Sequence, residues 1–161
     1  MSYVERYLEL SAALARMLNL LQPVLALATR LWVGWQFLKS GLLKVGSWEN
    51  TLFLFKEEYR TPLLPPDAAA VAGTAGELVF SVLLMLGLTG RLGALGLSVV
   101  NVMAVVSYAH VLFADGFEAA LAQHYLWGFM LLVLAIYGPG RLSLDHLLTR
   151  LGPRIQAALA V

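Results

Sequence analysis

The stretch Val24–Val45, VLALATRLWVGWQFLKSGLLKV, decides how the rest of this sequence is read. It is long enough to cross a bilayer, for which about 20 mostly apolar residues suffice. Within it stand Arg30, near the middle, and Lys44, at the end. An arginine at mid-membrane costs at least ~2.5–3.5 kcal/mol on insertion scales, so the chain must supply a partner. Glu77 is the only acid inside any apolar run. It is the expected partner of Arg30.

Working outward, 60% of the 161 residues are hydrophobic and only 13% are charged. A soluble domain carries roughly 25% charged residues. Four apolar runs fill most of the chain, which makes residues 1–161 one polytopic membrane domain surrounded by lipid. The formal net charge of +1 gives no reason to expect nucleic acid. Cysteine is absent, which excludes disulfide, thiol-nucleophile and thiolate–metal chemistry. The first 22 residues carry Glu5, Arg6, Glu9 and Arg16, and so lack the pattern of a cleavable signal. They read as an amphipathic helix at the membrane surface, with Tyr3, Tyr7, Leu8 and Leu14 on its apolar side, or as a frayed tail.

The fold class expected is all-α: a bundle of four transmembrane helices at about 21–45, 68–88, 92–113 and 119–137. Pro23 suits a first helical turn. Residues 47–59, SWENTLFLFKEEY, have a Ser N-cap position and an apolar face, which suits an interfacial helix. Thr89-Gly90-Arg91 makes a tight turn between the second and third spans, and Gly138-Pro139-Gly140 stops the fourth. Ser143 then caps a last amphipathic helix, Leu144–Leu151, with Asp145 in its first turn. With four crossings, Arg6, Arg16, Arg91, Arg141, Arg150 and Arg154 share one side. The positive-inside rule puts that side, and both termini, in the cytoplasm and the long loop outside.

Counting depth at 1.5 Å per residue places Arg30, Glu77 and Asn101 within reach of one another as one buried polar cluster. A second set, Lys44, Tyr108, His110 and His124, gathers at the outer end, with Trp48 and Trp127 nearby in sequence. Each has a plainer reading. An intramembrane Arg–Glu pair can simply fix helix partners. Histidines at helix ends are more often solvated than metal-bound, and no third ligand for a metal or haem on His110 and His124 is obvious. No nucleotide-binding, metalloprotease or hydrolase motif occurs.

Several landmarks follow one another in a definite order. Arg30-x3-Gly34 precedes Phe37 and Gly41-x2-Lys44; Gly76-Glu77-Leu78 leads into Leu84-Met85-Leu86-Gly87-Leu88. Gly90-Arg91 comes next, and Gly138-Pro139-Gly140-Arg141-Leu142-Ser143-Leu144-Asp145 closes the series. Over about residues 22–147 this resembles the DoxX family of small four-helix bacterial membrane proteins. The resemblance implies an association with sulfur and redox metabolism, as in the membrane subunit of a thiosulfate:quinone oxidoreductase. It also implies polar positions of interest at Arg30, Lys44, Glu77 and Arg91. Ala109 stands where many relatives are expected to have proline, so the third span is expected to run unbent there.

Two functions follow. In the first, the bundle offers a quinone-sized pocket and a partner subunit supplies electrons. Glu77, Arg30 and Tyr108 then take catalytic roles, and Lys44, His110, His124 and Asn101 bind the cofactor. In the second, the protein is a non-enzymatic scaffold, chaperone or passage, alone, as a homo-oligomer or with a protein partner. No complete catalytic constellation in the sequence decides between them.

Overall fold

The computed structural model describes residues 2–159, with side chains over residues 2–152, so Arg154 lies outside the described side chains. Ser2 and Glu5 begin the first helix with a reciprocal cap: the Ser2 N–H donates to Glu5 Oε2 (2.7 Å) and the Glu5 N–H to Ser2 Oγ (3.2 Å). From there α1 runs unbroken from Tyr3 to Gly46, 44 residues with Pro23 inside it. The expected surface helix and first span are therefore one element of about 66 Å. Pro23 removes one N–H donor, but the leucine- and alanine-rich flanks carry the helix past it. Residues 2–22 are exposed throughout.

The remaining elements are α2 (Trp48–Glu57), α3 (Pro66–Leu86), α4 (Leu92–Ser107), α5 (Ala109–Leu112), α6 (Glu118–Tyr137) and α7 (Leu144–Leu159). Helices α1, α3 and α6 are long and apolar enough to cross a membrane. The 16-residue α4 is equally apolar and is extended by α5. The chain is thus all-α, with no strand among the described residues. The third span is not continuous to Phe113 as expected. At Tyr108 the backbone leaves helical geometry (φ −114°, ψ 19°), and the Ser107 carbonyl accepts from the Arg60 N–H at 2.8 Å. The loop before α3 thus takes the acceptor that Val111 would use, and Val111 turns to the Tyr108 carbonyl instead. A tertiary hydrogen bond breaks this helix without a proline.

Helix α1 packs on α3, α3 on α4, α4 on α6, and α6 returns to α1 in the slightest of the four contacts. Val33, Phe37, Leu84, Leu97, Leu131 and Leu134 fill the centre. Helix α2 lays Phe55 on Ala69 and Ala70 at the start of α3. Backbones approach closely where side chains vanish. A Cβ on Gly41 would stand 2.9 Å from Leu78, and one on Gly93 2.7 Å from the backbone nitrogen of Leu84. Lipid offers helices no hydrophobic reason to associate, so such contact carries much of the packing. Gly93→Val is therefore expected to cost about 1–3 kcal/mol and to lower accumulation in the membrane. Gly46→Ala, whose Cβ meets nothing within 4 Å, should accumulate as the parent does. Equal levels of the two variants would remove the α3–α4 contact as a determinant.

Candidate functional site

The polar side chains collect at two levels, not in the cluster expected. Arg30 and Glu77 do not pair. Gly41 faces Glu77 and Gly34 faces Ser81, so α1 and α3 run antiparallel in a register that puts Arg30 beside Gly87. Glu77 and Gly87 are separated by about 15 Å along α3, beyond the reach of an arginine.

At the first level, Lys44 forms a salt bridge with Glu77 Oε1 and also donates to Ser40 Oγ at 3.1 Å. Ser40 in turn donates to Glu77 Oε1 at 3.2 Å. Ser40 and Lys44 lie one turn apart on α1, and Thr74 and Glu77 nearly one turn apart on α3, so each helix presents its pair on one face. Glu77 is 6% exposed and Thr74 4%. Glu77 Oε2 and Thr74 Oγ1 are nonetheless left without a hydrogen-bond partner. Ser40 and Thr74 were legible only through these spacings; hydroxyls in an apolar run otherwise read as packing.

Beyond this pair an edge-to-face aromatic series closes the same end of the bundle. Phe55 meets Tyr59 (4.9 Å between centroids), Tyr59 meets Tyr108 (5.2 Å), and Tyr108 meets His110 (5.5 Å). The Tyr108 hydroxyl donates to Glu58 Oε2 at 3.3 Å. Burial pushes the Tyr59 hydroxyl above the ordinary tyrosine range, and Tyr108, Glu77 and Glu58 add to it. Tyr59 therefore stays a neutral donor near the carboxylate.

Asn101 and His124 pair with each other, joining α4 to α6. Asn101 Nδ2 donates to the His124 carbonyl at 3.0 Å, and its Oδ1 lies 2.8 Å from His124 Nδ1. Gly128 leaves room for the amide, and Trp127 packs edge-on against both His124 and Phe37. His124 is engaged on α4 through Nδ1, and the exposed His110 meets Tyr108 edge-on. No group of three His, Asp or Glu side chains able to hold a metal occurs among the described residues.

At the second level, Arg30, 1% exposed, donates through Nη2 to the Leu142 carbonyl and crosses Gly87, the αL cap of α3 (φ 66°). Its charge thus meets the carbonyl end of a helix, where the backbone dipole favours a cation. Asp145 reaches back from α7 to accept from the N–H groups of Thr89 (3.1 Å) and Gly90, and its own N–H donates to the Gly87 carbonyl (3.1 Å). Ser143 caps α7 as expected, accepting from the His146 N–H at 3.3 Å. Arg91 lies beside Gly138.

The landmark residues of the sequence therefore meet in space: Arg30, Gly87 and Gly90 with Leu142, Ser143 and Asp145. The DoxX family matches this sequence over residues 25–110. The chain belongs to the DoxX family. A Haemophilus influenzae relative described as an uncharacterized protein is 29% identical over 135 residues, which is 79% of this chain and 85% of the relative. No solved structure matches. Family membership and the long apolar helices make this DoxX chain a membrane protein.

A groove of about 660 Å³ opens between α1 and α6, lined by Pro23, Ala26 and Thr29 and by Leu134, Tyr137 and Arg141. Its size is that of a small-molecule pocket. It lies at the Arg30 end, however, away from Lys44, Tyr108, His110 and His124. None of those four residues lines this groove.

The Asp145 clamp is testable. Asp145→Ala strands two backbone donors and is expected to cost about 1–3 kcal/mol, with limited proteolysis cutting first between residues 86 and 92. Unchanged thermal stability and cleavage would show that α7 does not hold the turn.

Proposed function

We propose that this DoxX protein is an inner-membrane subunit of a redox system acting in sulfur or thiol metabolism, with both termini in the cytoplasm. Its Lys44–Glu77 site receives the head of a quinone. The observation that carries the reading is the unused capacity of the pair. A salt bridge kept only to hold helices together gains by having every buried oxygen satisfied, because an unpaired polar atom in lipid costs several kcal/mol. Here Glu77 Oε2 and Thr74 Oγ1 both lack partners, as Arg30 Nε and Nη1 do at the other level; of the two cations it is Lys44 that opens outward, 19% exposed at its side chain against 1% for Arg30.

Reduction of a quinone to a quinol takes two electrons and two protons. A partner subunit docked at the Lys44 end supplies the electrons. The Lys44 ammonium donates a hydrogen bond to one carbonyl oxygen, and Glu77 passes protons to the ring oxygens from the polar end of the bundle. Tyr59 and Tyr108 wall the site on the loop side and limit its exchange with water.

A second reading has its own support. Phe53 on α2 is 59% exposed and Trp48 36%, which suits a docking surface on a non-enzymatic scaffold. Glu77→Gln separates the two. In the redox reading the variant accumulates near parental level and loses quinol formation with its partner. Lys44→Met then retains at least tenfold less quinone through purification. In the scaffold reading Glu77→Gln strands the Lys44 charge at a cost of roughly 3–5 kcal/mol, and the protein fails to accumulate. A purified parent chain holding no quinone would sink the redox reading.

A further inference from the structure

The half of α1 that precedes the bundle carries a row of apolar side chains with no partner among the described residues. Tyr7, Leu10, Leu14, Met17, Leu21 and Val24 follow one another at spacings of 3, 4, 3, 4 and 3, and each is at least 53% exposed. A spacing that alternates three and four over about two and a half heptads is the pattern of a coiled-coil seam, whose knobs need a second helix to enter.

We propose that this segment packs in parallel against the same segment of a second copy of the chain. Three observations single out that occupant. First, α1 is continuous through Pro23, so residues 3–22 are an extension of the spanning helix. An unbroken helix cannot turn to lie flat on the membrane; it leaves the bundle along the same axis. Second, the seam faces away from the bundle. Arg30, Gly34, Phe37 and Gly41 face the neighbouring helices, and at 100° per residue their face continues toward the N-terminus as Glu5, Glu9, Arg16 and Asn19. The heptad row continues the opposite way, into Leu31, Trp35 and Leu42, all outward-facing. Copies meeting along the row keep their own bundles intact.

Third, the geometry is self-complementary. Two copies in one membrane share an orientation, so their α1 helices are parallel, and in a parallel seam every residue meets its own counterpart. Residues 3–24 contain two acids and two bases, so no net charge opposes the meeting. A symmetric pair of this kind closes on itself without leaving a free surface.

The chain has no cysteine, which allows a direct test on the full-length protein in its membrane. Single variants Leu14→Cys and Leu21→Cys are expected to form disulfide-linked dimers in at least half of the chains under mild oxidation. Glu9→Cys and Asn19→Cys, on the opposite face, should cross-link at least tenfold less. Native mass of the parent protein should read a homo-oligomer, and Leu14→Lys with Leu21→Lys together should return it to monomer while Glu9→Lys does not. Equal cross-linking on both faces would overturn the proposal. So would a parental mass of one chain, which would leave the row to the lipid surface. Should the cysteine variants fail to accumulate, the parental mass alone decides.

Discussion

Charge inside a low-dielectric bundle must be answered locally, and the antiparallel register of α1 on α3 determines how this chain does it. That register answers Lys44 with a carboxylate and Arg30 with the Leu142 carbonyl. Each solution leaves buried atoms free, at Arg30 the donors Nε and Nη1. The Arg30 end is bound to the α3 cap, to Leu142 and, through Asp145, to the turn before α4. The Lys44 end keeps unpartnered acceptors on α3.

The fold was legible because lipid permits so few alternatives. Apolar runs of spanning length must be helices or closed barrels, and the turn residues between them leave little choice of order. The start of α7 was readable because one residue, Ser143, decides it. Helix α3 begins at Pro66, two residues before the expected 68. The start of α1 was missed: the capping box of Ser2 and Glu5 is local to the sequence, but Pro23 suggested a later beginning. The break at Tyr108 was not legible, because its cause is a hydrogen bond from Arg60, 47 residues earlier.

The error over Arg30 and Glu77 came from an assumed common depth. Counting from helix ends supposes that helices begin level with one another. The first turns of α3 instead project past Lys44, because α2 packs Phe55 against Ala69 and Ala70 there. Glu77 therefore lies about one turn from Lys44, and its distance from Arg30 grows correspondingly. Asn101 was expected level with Arg30, but its neighbour Val100 packs against Gly76 while Arg30 lies beside Gly87; only the fold could say that Asn101 faces His124. Gly34, Gly41, Gly76 and Gly93 lack a GxxxG repeat, yet a Cβ on each would crowd a neighbouring helix, because each serves a different contact.

The two ends of the molecule divide the work that its landmark residues perform. Several landmark pieces, from Arg30 and Gly87 to the Leu142–Asp145 segment, meet at the clamped end and hold helices and turn together, although Arg30 Nε and Nη1 stay buried without partners there. The Lys44 end leaves Glu77 Oε2 and Thr74 Oγ1 in the same condition. The family match, over residues 25–110, takes in Arg30, Lys44 and Glu77 but not the Leu142–Asp145 segment, and it identifies the fold without assigning an activity. Whatever distinguishes one such protein from another must be sought in the residues around Lys44 and Glu77, including the aromatic series from Phe55 to His110, which the α2 loop brings over them.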